Sequence, residues 1–151
     1  MDDNTPLFAT IPGATEVLDW FGFVPTFHDA EVVGLDLRRR APSTLSVYCR
    51  RVRSETDDRG HFVLDRHAVV TFLITDIIDI QLEGFSPQNV LWGLVVRRAP
   101  DRQDRRNFYA FDPSPEDYEL ELEPSYGLGG RIRCRTLSME LVPGKPSDSG
   151  A

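Results

Sequence analysis

The sequence predicts a mainly β fold of the α+β class. We expect an antiparallel sheet, or a curled barrel-like sandwich, of seven or eight strands with one short N-terminal helix. Beyond residue 31, apolar and polar residues alternate with a period of two, which is typical of half-buried strands. No helix-length patterns recur between these strands, which argues against a parallel sheet with crossover helices. The chain has 151 residues, enough for one domain with a sizeable core.

The helix is expected before residue 22. Pro12 suits a first helical turn, and Glu16 and Asp19 favour the amino end of a helix. Gly22 is a typical helix terminator, and Pro25 prevents continuation. The apolar side of this helix would consist of Val17, Leu18, Trp20 and Phe21.

Strand patterns follow along most of the remaining chain, with Asp76 taken as a break between two of them. They cover residues 33–37, 45–49, 68–74, 78–82, 90–96, 108–111, 118–122 and 132–141. One strand places four carboxylates on a single face, which predicts an unpaired edge strand: Asp117, Glu119, Glu121 and Glu123. Residues 1–142 are therefore predicted to form a single β-rich domain, and the Pro/Ser/Gly-rich residues 143–151 a disordered tail.

Charge is unevenly distributed along the chain, whose formal net charge is −7. Residues 1–37 contain seven acids and no Lys or Arg, and residues 112–123 contain six acids and again no base. An acidic field of this kind repels nucleic acid and steers basic partners toward the protein, although simple solubility is an alternative explanation. The arginine-rich residues 97–106 are predicted to form a solvated loop.

The distribution of apolar residues along the sequence predicts a cytoplasmic protein with no membrane association. No apolar run approaches the roughly 20 residues of a membrane-spanning helix, and the acidic amino terminus lacks the pattern of a secretory signal. Cys49 and Cys134 lie in apolar strand patterns, so we expect buried reduced thiols, with a cross-strand disulfide as the alternative.

The segment from Phe27 to Glu31 concentrates titratable groups beside an aromatic run. In a strand, Asp29 and Glu31 would share one face and His28 would point to the other. Two carboxylates on one face could act as acid and base, or hold a divalent ion with a third ligand. The alternative is that His28 and Asp29 bond to buried backbone where the chain enters the sheet. We favour structural or partner-binding use over catalysis.

A second group of polar residues lies in the connection before residue 90. Gly84 and Pro87 shape a tight turn, and Gln88 and Asn89 bring two amides to the start of the next strand. These amides can bond to backbone groups within the turn or present donors and acceptors at one end of the sheet.

Sequence motifs of catalysis are missing from the chain. There is no nucleophile motif and no phosphate-binding glycine loop, and the spacing of His61 and His67 does not match a zinc site. We therefore predict no catalytic residue, no metal and no cofactor.

Two segments carry a family resemblance. Residues 23–32 (FVPTFHDAEV) and residues 82–90 (LEGFSPQNV) resemble the bacterial immunity protein 50 family. The resemblance implies a small cytoplasmic antitoxin, encoded beside a polymorphic toxin, that inhibits a cognate toxin by binding it. An acidic surface would suit a basic effector such as a nuclease. The family supplies no catalytic residue to carry over.

Three hypotheses follow. The leading one is a toxin-neutralising binding protein that uses His28, Asp29, Glu31, Gln88 and Asn89 as a partner-binding or structural motif. The second is a small metal-dependent or acid–base enzyme centred on Asp29 and Glu31. The third is a general interaction module with other protein partners.

Overall fold

The computed structural model describes residues 5–146, and for residues 5, 52–55 and 62–64 it describes the backbone alone. Six antiparallel strands pair in the order β1-β2-β3-β6-β5-β4, and a contact between β1 and β4 closes the ring into a barrel. The strands are β1 Glu31–Asp36, β2 Ser43–Thr56, β3 Phe62–Glu83, β4 Val90–Arg98, β5 Tyr118–Tyr126 and β6 Gly129–Pro143.

The mainly β, antiparallel character expected from the sequence is confirmed, but the described strands number six. The two strands expected on either side of Asp76 are one continuous strand, β3. Asp76 has a φ of 55°, and the register with β6 shifts between Ile77 and Asp79. Such an irregularity bends a strand without ending it, which is why the sequence suggested a break.

The expected strand at residues 108–111 is instead part of an irregular segment that contains a short 3₁₀ helix, Gln103–Phe108. An extended segment needs a free sheet edge to pair with, and in a closed ring the neighbouring strands already have a partner on each side. Residues 99–117 therefore cross the outside of the barrel, and we call this segment the strap.

Two helices precede the barrel where one was expected: α1 Thr5–Thr10 and α2 Ala14–Phe21. The second begins after Gly13, so Pro12 lies outside it. Gly13 has a φ of 90°, and a Cβ there would lie 1.9 Å from the carbonyl oxygen of Met139 in β6. This close approach requires glycine and fixes the helices against the barrel. Gly22 ends α2 in the left-handed conformation, as predicted.

One hydrophobic core joins the helices to the barrel. Phe8, Val17 and Phe21 of the helices belong to the same buried cluster as Phe72 and Ile132 of the strands. No helix within residues 5–146 has the length and apolarity needed to span a membrane.

The proposed disordered tail lies partly outside the described residues, because residues 147–151 are not described. Of its first residues, Pro143 is the end of β6. The amide of Gly144 donates to the carbonyl oxygen of His67 at 2.8 Å.

Candidate partner-binding site at the barrel seam

The barrel closes through the segment that the sequence singled out. Regular pairing between β1 and β4 is limited to Glu31 opposite Val90. On either side of this pair, hydrogen bonds join residues 26–32 to β4 and to the residue before it. The amide of Asp29 donates to the carbonyl of Leu91 at 2.9 Å, and the amide of Leu91 donates to the carbonyl of Ala30 at 2.8 Å. We call this junction, residues 26–32 against residues 89–94, the seam.

The backbone of the seam is irregular. Phe27 and Asp29 have φ angles of 62° and 63°, in the left-handed region that L-residues seldom adopt. The amide of Ala30 donates to the carbonyl of Phe27 at 3.0 Å, so His28 and Asp29 are the central residues of a turn. The aromatic ring of Phe27 is buried and meets Phe72 edge-on at 5.9 Å. Burial of this ring anchors the strained turn.

This turn corrects the expected arrangement of the motif. The strand begins at Glu31, so the opposition of His28 to Asp29 and Glu31 expected for a strand does not apply. The side chains of His28 and Asp29 are neighbours, with Nε2 and Oδ2 3.6 Å apart, and both are about half exposed, at 47% and 57%. His28 does bond to the backbone, because its Nδ1 donates to the carbonyl of Trp92 at 3.0 Å. Among the hydrogen bonds of the described residues, Asp29 joins the seam through its amide.

The second motif meets the first at the same place. The amide of Val32 donates to the carbonyl of Asn89 at 2.9 Å, which joins the two segments directly. The side chain of Asn89 is buried, and its Oδ1 accepts hydrogen bonds from the amides of Ser86 and Leu128 at 2.9 and 3.0 Å. Its Nδ2 donates to the carbonyl of Ser86 at 2.6 Å. Gln88 is exposed, so the two amides have different roles.

Aromatic side chains that sequence analysis assigned no role surround these residues. Trp92 is 61% exposed, and its ring meets that of His28 at 4.6 Å and 86°. The sequence placed Trp92 on the same face as buried Leu94, but the register of β4 with β5 shifts between Leu91 and Gly93. Gly93 was the available signal, because a glycine inside a strand often marks a bulge.

A shallow depression of about 330 Å³ lies beside the turn. Strand register places Tyr48, Glu31, Val90 and Tyr126 in one row across β2, β1, β4 and β5. The depression is lined by these four residues together with Asp29, Arg50 and Gln88. We call the exposed side chains of His28, Asp29, Trp92 and Tyr126, together with the half-buried side chain of Glu31, the seam face.

One wall of the depression is held rigidly. The hydroxyl of Tyr48 lies 2.7 Å from Nδ1 of His67, and burial raises the pKa of Tyr48, an effect that the nearby Arg50 guanidinium partly offsets. The guanidinium of Arg50 lies 5.9 Å from the centre of the Tyr48 ring. A cation is therefore already accommodated against this wall.

A different outer face of the barrel carries a network of ion pairs. Register aligns Arg97, Glu119, Arg133 and Asp79 across β4, β5, β6 and β3. Nη1 of Arg97 lies 3.0 Å from Oε2 of Glu119, and the strap adds Arg102 to the same carboxylate at 3.1 Å. A second strap residue, Arg105, binds both carboxylate oxygens of Asp79, at 2.8 and 2.9 Å.

This network corrects two expectations. The strand predicted to be an edge, β5, pairs with both β4 and β6. The carboxylates of Asp117, which directly precedes β5, and of Glu119 within it are buried against arginines. The arginine-rich loop is not simply solvated, because Arg102 and Arg105 hold the strap to the sheet and Arg97 of β4 pairs with Glu119 of β5. Alternation along a sequence shows which side chains share a face, but not which side chains lie opposite them.

The remaining candidate chemical groups can be placed as well. Within residues 5–146, no group of three or more His, Cys, Asp and Glu side chains is arranged to hold a metal ion. Cys49 and Cys134 are both buried free thiols, as expected. Burial raises the pKa of each to about 12.

Comparison of the chain with protein-family models, with curated proteins and with solved structures found no match. The resemblance to the immunity protein 50 family therefore rests on the two segments that meet at the seam.

Proposed function

We propose that this chain is a cytoplasmic immunity protein of the immunity protein 50 type, a non-enzymatic inhibitor that binds a cognate toxin domain and blocks its action. The partner is a toxin domain with a basic surface, such as a nuclease. The observation that carries the proposal is the convergence of the two resembling segments. Val32 and Asn89 are more than 50 positions apart in the sequence, yet the hydrogen bond between them joins the two segments beside one exposed face.

The distribution of charge supports a basic partner. The chain carries a net charge of −7, and many of its arginines are engaged by its own carboxylates beneath the strap. Such pairs cancel charges of both signs, so the net charge of −7 dominates the field that an approaching protein meets. A field of this sign accelerates association with a cationic partner.

The proposal requires a toxin domain encoded beside this chain, and co-expression with that domain tests it. We expect growth of toxin-expressing bacteria to be restored by this chain, and the two proteins to co-purify. An unrelated immunity protein of similar acidity serves as the control for non-specific charge effects. Lack of both protection and complex formation would refute the proposal.

A second candidate function is a small metal-dependent or acid–base enzyme centred on Asp29 and Glu31. One observation favours it: both carboxylates line the same depression as Tyr48 and Arg50. Calorimetric titration with Mg²⁺, Mn²⁺, Ca²⁺ and Zn²⁺ separates the two functions. The enzyme hypothesis requires heat of binding for at least one ion, and that heat should disappear in Asp29→Asn; an immunity protein requires neither.

A further inference from the structure

The seam face is continuous from its aromatic end to its acidic end. The Trp92 ring contacts His28, His28 contacts Asp29, and Asp29 borders the depression that Glu31 and Tyr126 also line. Trp92 and Tyr126 are 61% and 51% exposed. Tryptophan and tyrosine are among the residues most enriched at the energetic centres of protein interfaces.

The negative charge of this face is compensated only in part by the protein itself. Asp29, Glu31 and the neighbouring Glu123 supply three carboxylates, and Arg50 supplies one guanidinium. Among the described residues, Asp29 has an ion pair only with His28, and no ion pair is formed by Glu31. The buried carboxylate of Glu119, in contrast, is shared by two arginines. The charge that complements the seam face is therefore positive.

We infer that the seam face is the surface on which a cationic face of the toxin domain docks, an inference that rests on the proposed function. A lysine or arginine of the partner enters the depression between Asp29, Glu31 and Tyr126. Apolar atoms beside that residue pack on the exposed ring of Trp92. At about 330 Å³, the depression is large enough for one long side chain.

Two exposed aromatic rings on the strap, those of Phe108 and Phe111, lack this acidic surrounding. Phe108 and Phe111 on the strap are also exposed, but each lies beside a guanidinium of this chain. Arg105 is 4.1 Å from the centre of the Phe108 ring, and Arg135 is 5.5 Å from that of Phe111. These guanidiniums already occupy the position that a partner's cation would take against each ring, so the strap rings provide a control surface of similar apolar exposure.

Binding kinetics with the purified, catalytically inactivated toxin domain test the inference. Trp92→Ala should weaken affinity at least about tenfold, mainly through faster dissociation, whereas Phe108→Ala should stay within about twofold of the unmodified chain. The double variant Asp29→Asn with Glu31→Gln should slow association about fivefold and reduce its dependence on salt. Asparagine tolerates the left-handed backbone of Asp29, so this variant keeps the turn.

The outcomes of this experiment test the docking surface and the immunity function separately. If the unmodified chain binds and the Trp92 and carboxylate variants bind equally well, the assignment of the seam face is wrong and the immunity function stands. If the unmodified chain does not bind the toxin domain, both the docking surface and the immunity function are refuted. Circular dichroism of each variant identifies any loss of binding that comes from unfolding. In that event Trp92→Phe, which keeps an exposed aromatic ring, should restore both fold and affinity.

Discussion

Gln88 and Asn89 are adjacent amides in contrasting environments. Asn89 is buried and satisfies three backbone groups of the turn and of the β5–β6 connection, whereas Gln88 is exposed at the depression. Both roles were considered for this pair from the sequence, and the structure divides them between the two residues. Residue type alone could not make this division, because it depends on which side chain points under the turn.

The buried amide gives a prediction at the scale of one residue. Asn89→Ala should lower the free energy of unfolding by about 2–4 kcal/mol, because the amides of Ser86 and Leu128 lose their acceptor away from water. Gln88→Ala is the matched control and should change stability by less than about 0.5 kcal/mol. Urea denaturation measures both. Equal effects would show that Asn89 does not hold the turn.

The backbone at His28 and Asp29 explains why this motif was harder to interpret. The string Phe-His-Asp-Ala-Glu was expected to begin a strand, and a strand assigns side chains to alternate faces. Two left-handed residues, Phe27 and Asp29, replace that alternation with a turn. Neither residue type demands such a conformation, so only the burial of Phe27 and the seam hydrogen bonds reveal it.

At the scale of elements, the strap is held by side chains instead of a ladder of backbone bonds. Arg105 forms a bidentate pair with Asp79, in which Nε and Nη2 each donate to one carboxylate oxygen. The side chains of Arg105 and Asp79 are only 17% and 10% exposed. Arg106, its neighbour, makes a similar pair with Asp101, but both partners are about half exposed. Ion pairs in water stabilise little, while partly buried bidentate pairs contribute more.

This contrast predicts how the strap responds to substitution. Arg105→Ala should increase the rate of chymotrypsin cleavage within the strap about tenfold, because the segment opens locally when it loses Asp79. Arg106→Ala should leave the rate within about twofold, since its pair is exposed. Mass spectrometry of early fragments identifies the cut sites. Equal rates for the two variants would contradict the role given to Arg105.

The strand patterns of the sequence were informative about which residues face inward. Leu120 and Leu122 are buried as the alternation of β5 indicated, and so are Leu45 and Val47 of β2. The same alternation misassigned Trp92, because a bulge reverses the phase of β4. It also misjudged Glu119, whose partners, Arg97 of β4 and Arg102 of the strap, lie 22 and 17 positions earlier in the chain. Local periodicity carries no information about such distant pairing.

At the scale of the whole molecule, the two thiols report on the integrity of the core. Both lie inside the barrel cluster, and burial raises the pKa of each to about 12. The folded protein therefore disfavours the thiolate, whereas an exposed thiol titrates near 9.0. The stability contributed by the protonated thiols is fully present below that pH and is lost as pH rises towards about 12.

Alkaline unfolding checks this linkage. Between about pH 8 and about pH 10.5, the unmodified protein should lose more unfolding free energy than the double variant Cys49→Ala with Cys134→Ala, which lacks both titrating groups. A thiol reagent at neutral pH should label neither cysteine until the protein is unfolded, because burial keeps each thiol protonated and out of contact with the reagent. Identical pH slopes, or rapid labelling of the native protein, would contradict the burial of these groups.

The number of paired residues differs between neighbouring strands of the barrel, so local opening is favoured where the pairing is shortest. β3 and β6 are paired from Ala68–Pro143 to Glu83–Gly129, whereas β1 and β4 share one regular pair, Glu31–Val90. We therefore expect local opening at the seam to require less free energy than opening between β3 and β6, and the amide hydrogens of the seam to exchange with solvent before those of β3. A toxin seated across this junction would hold the ring shut, so its affinity would be linked thermodynamically to the seam's protection from exchange.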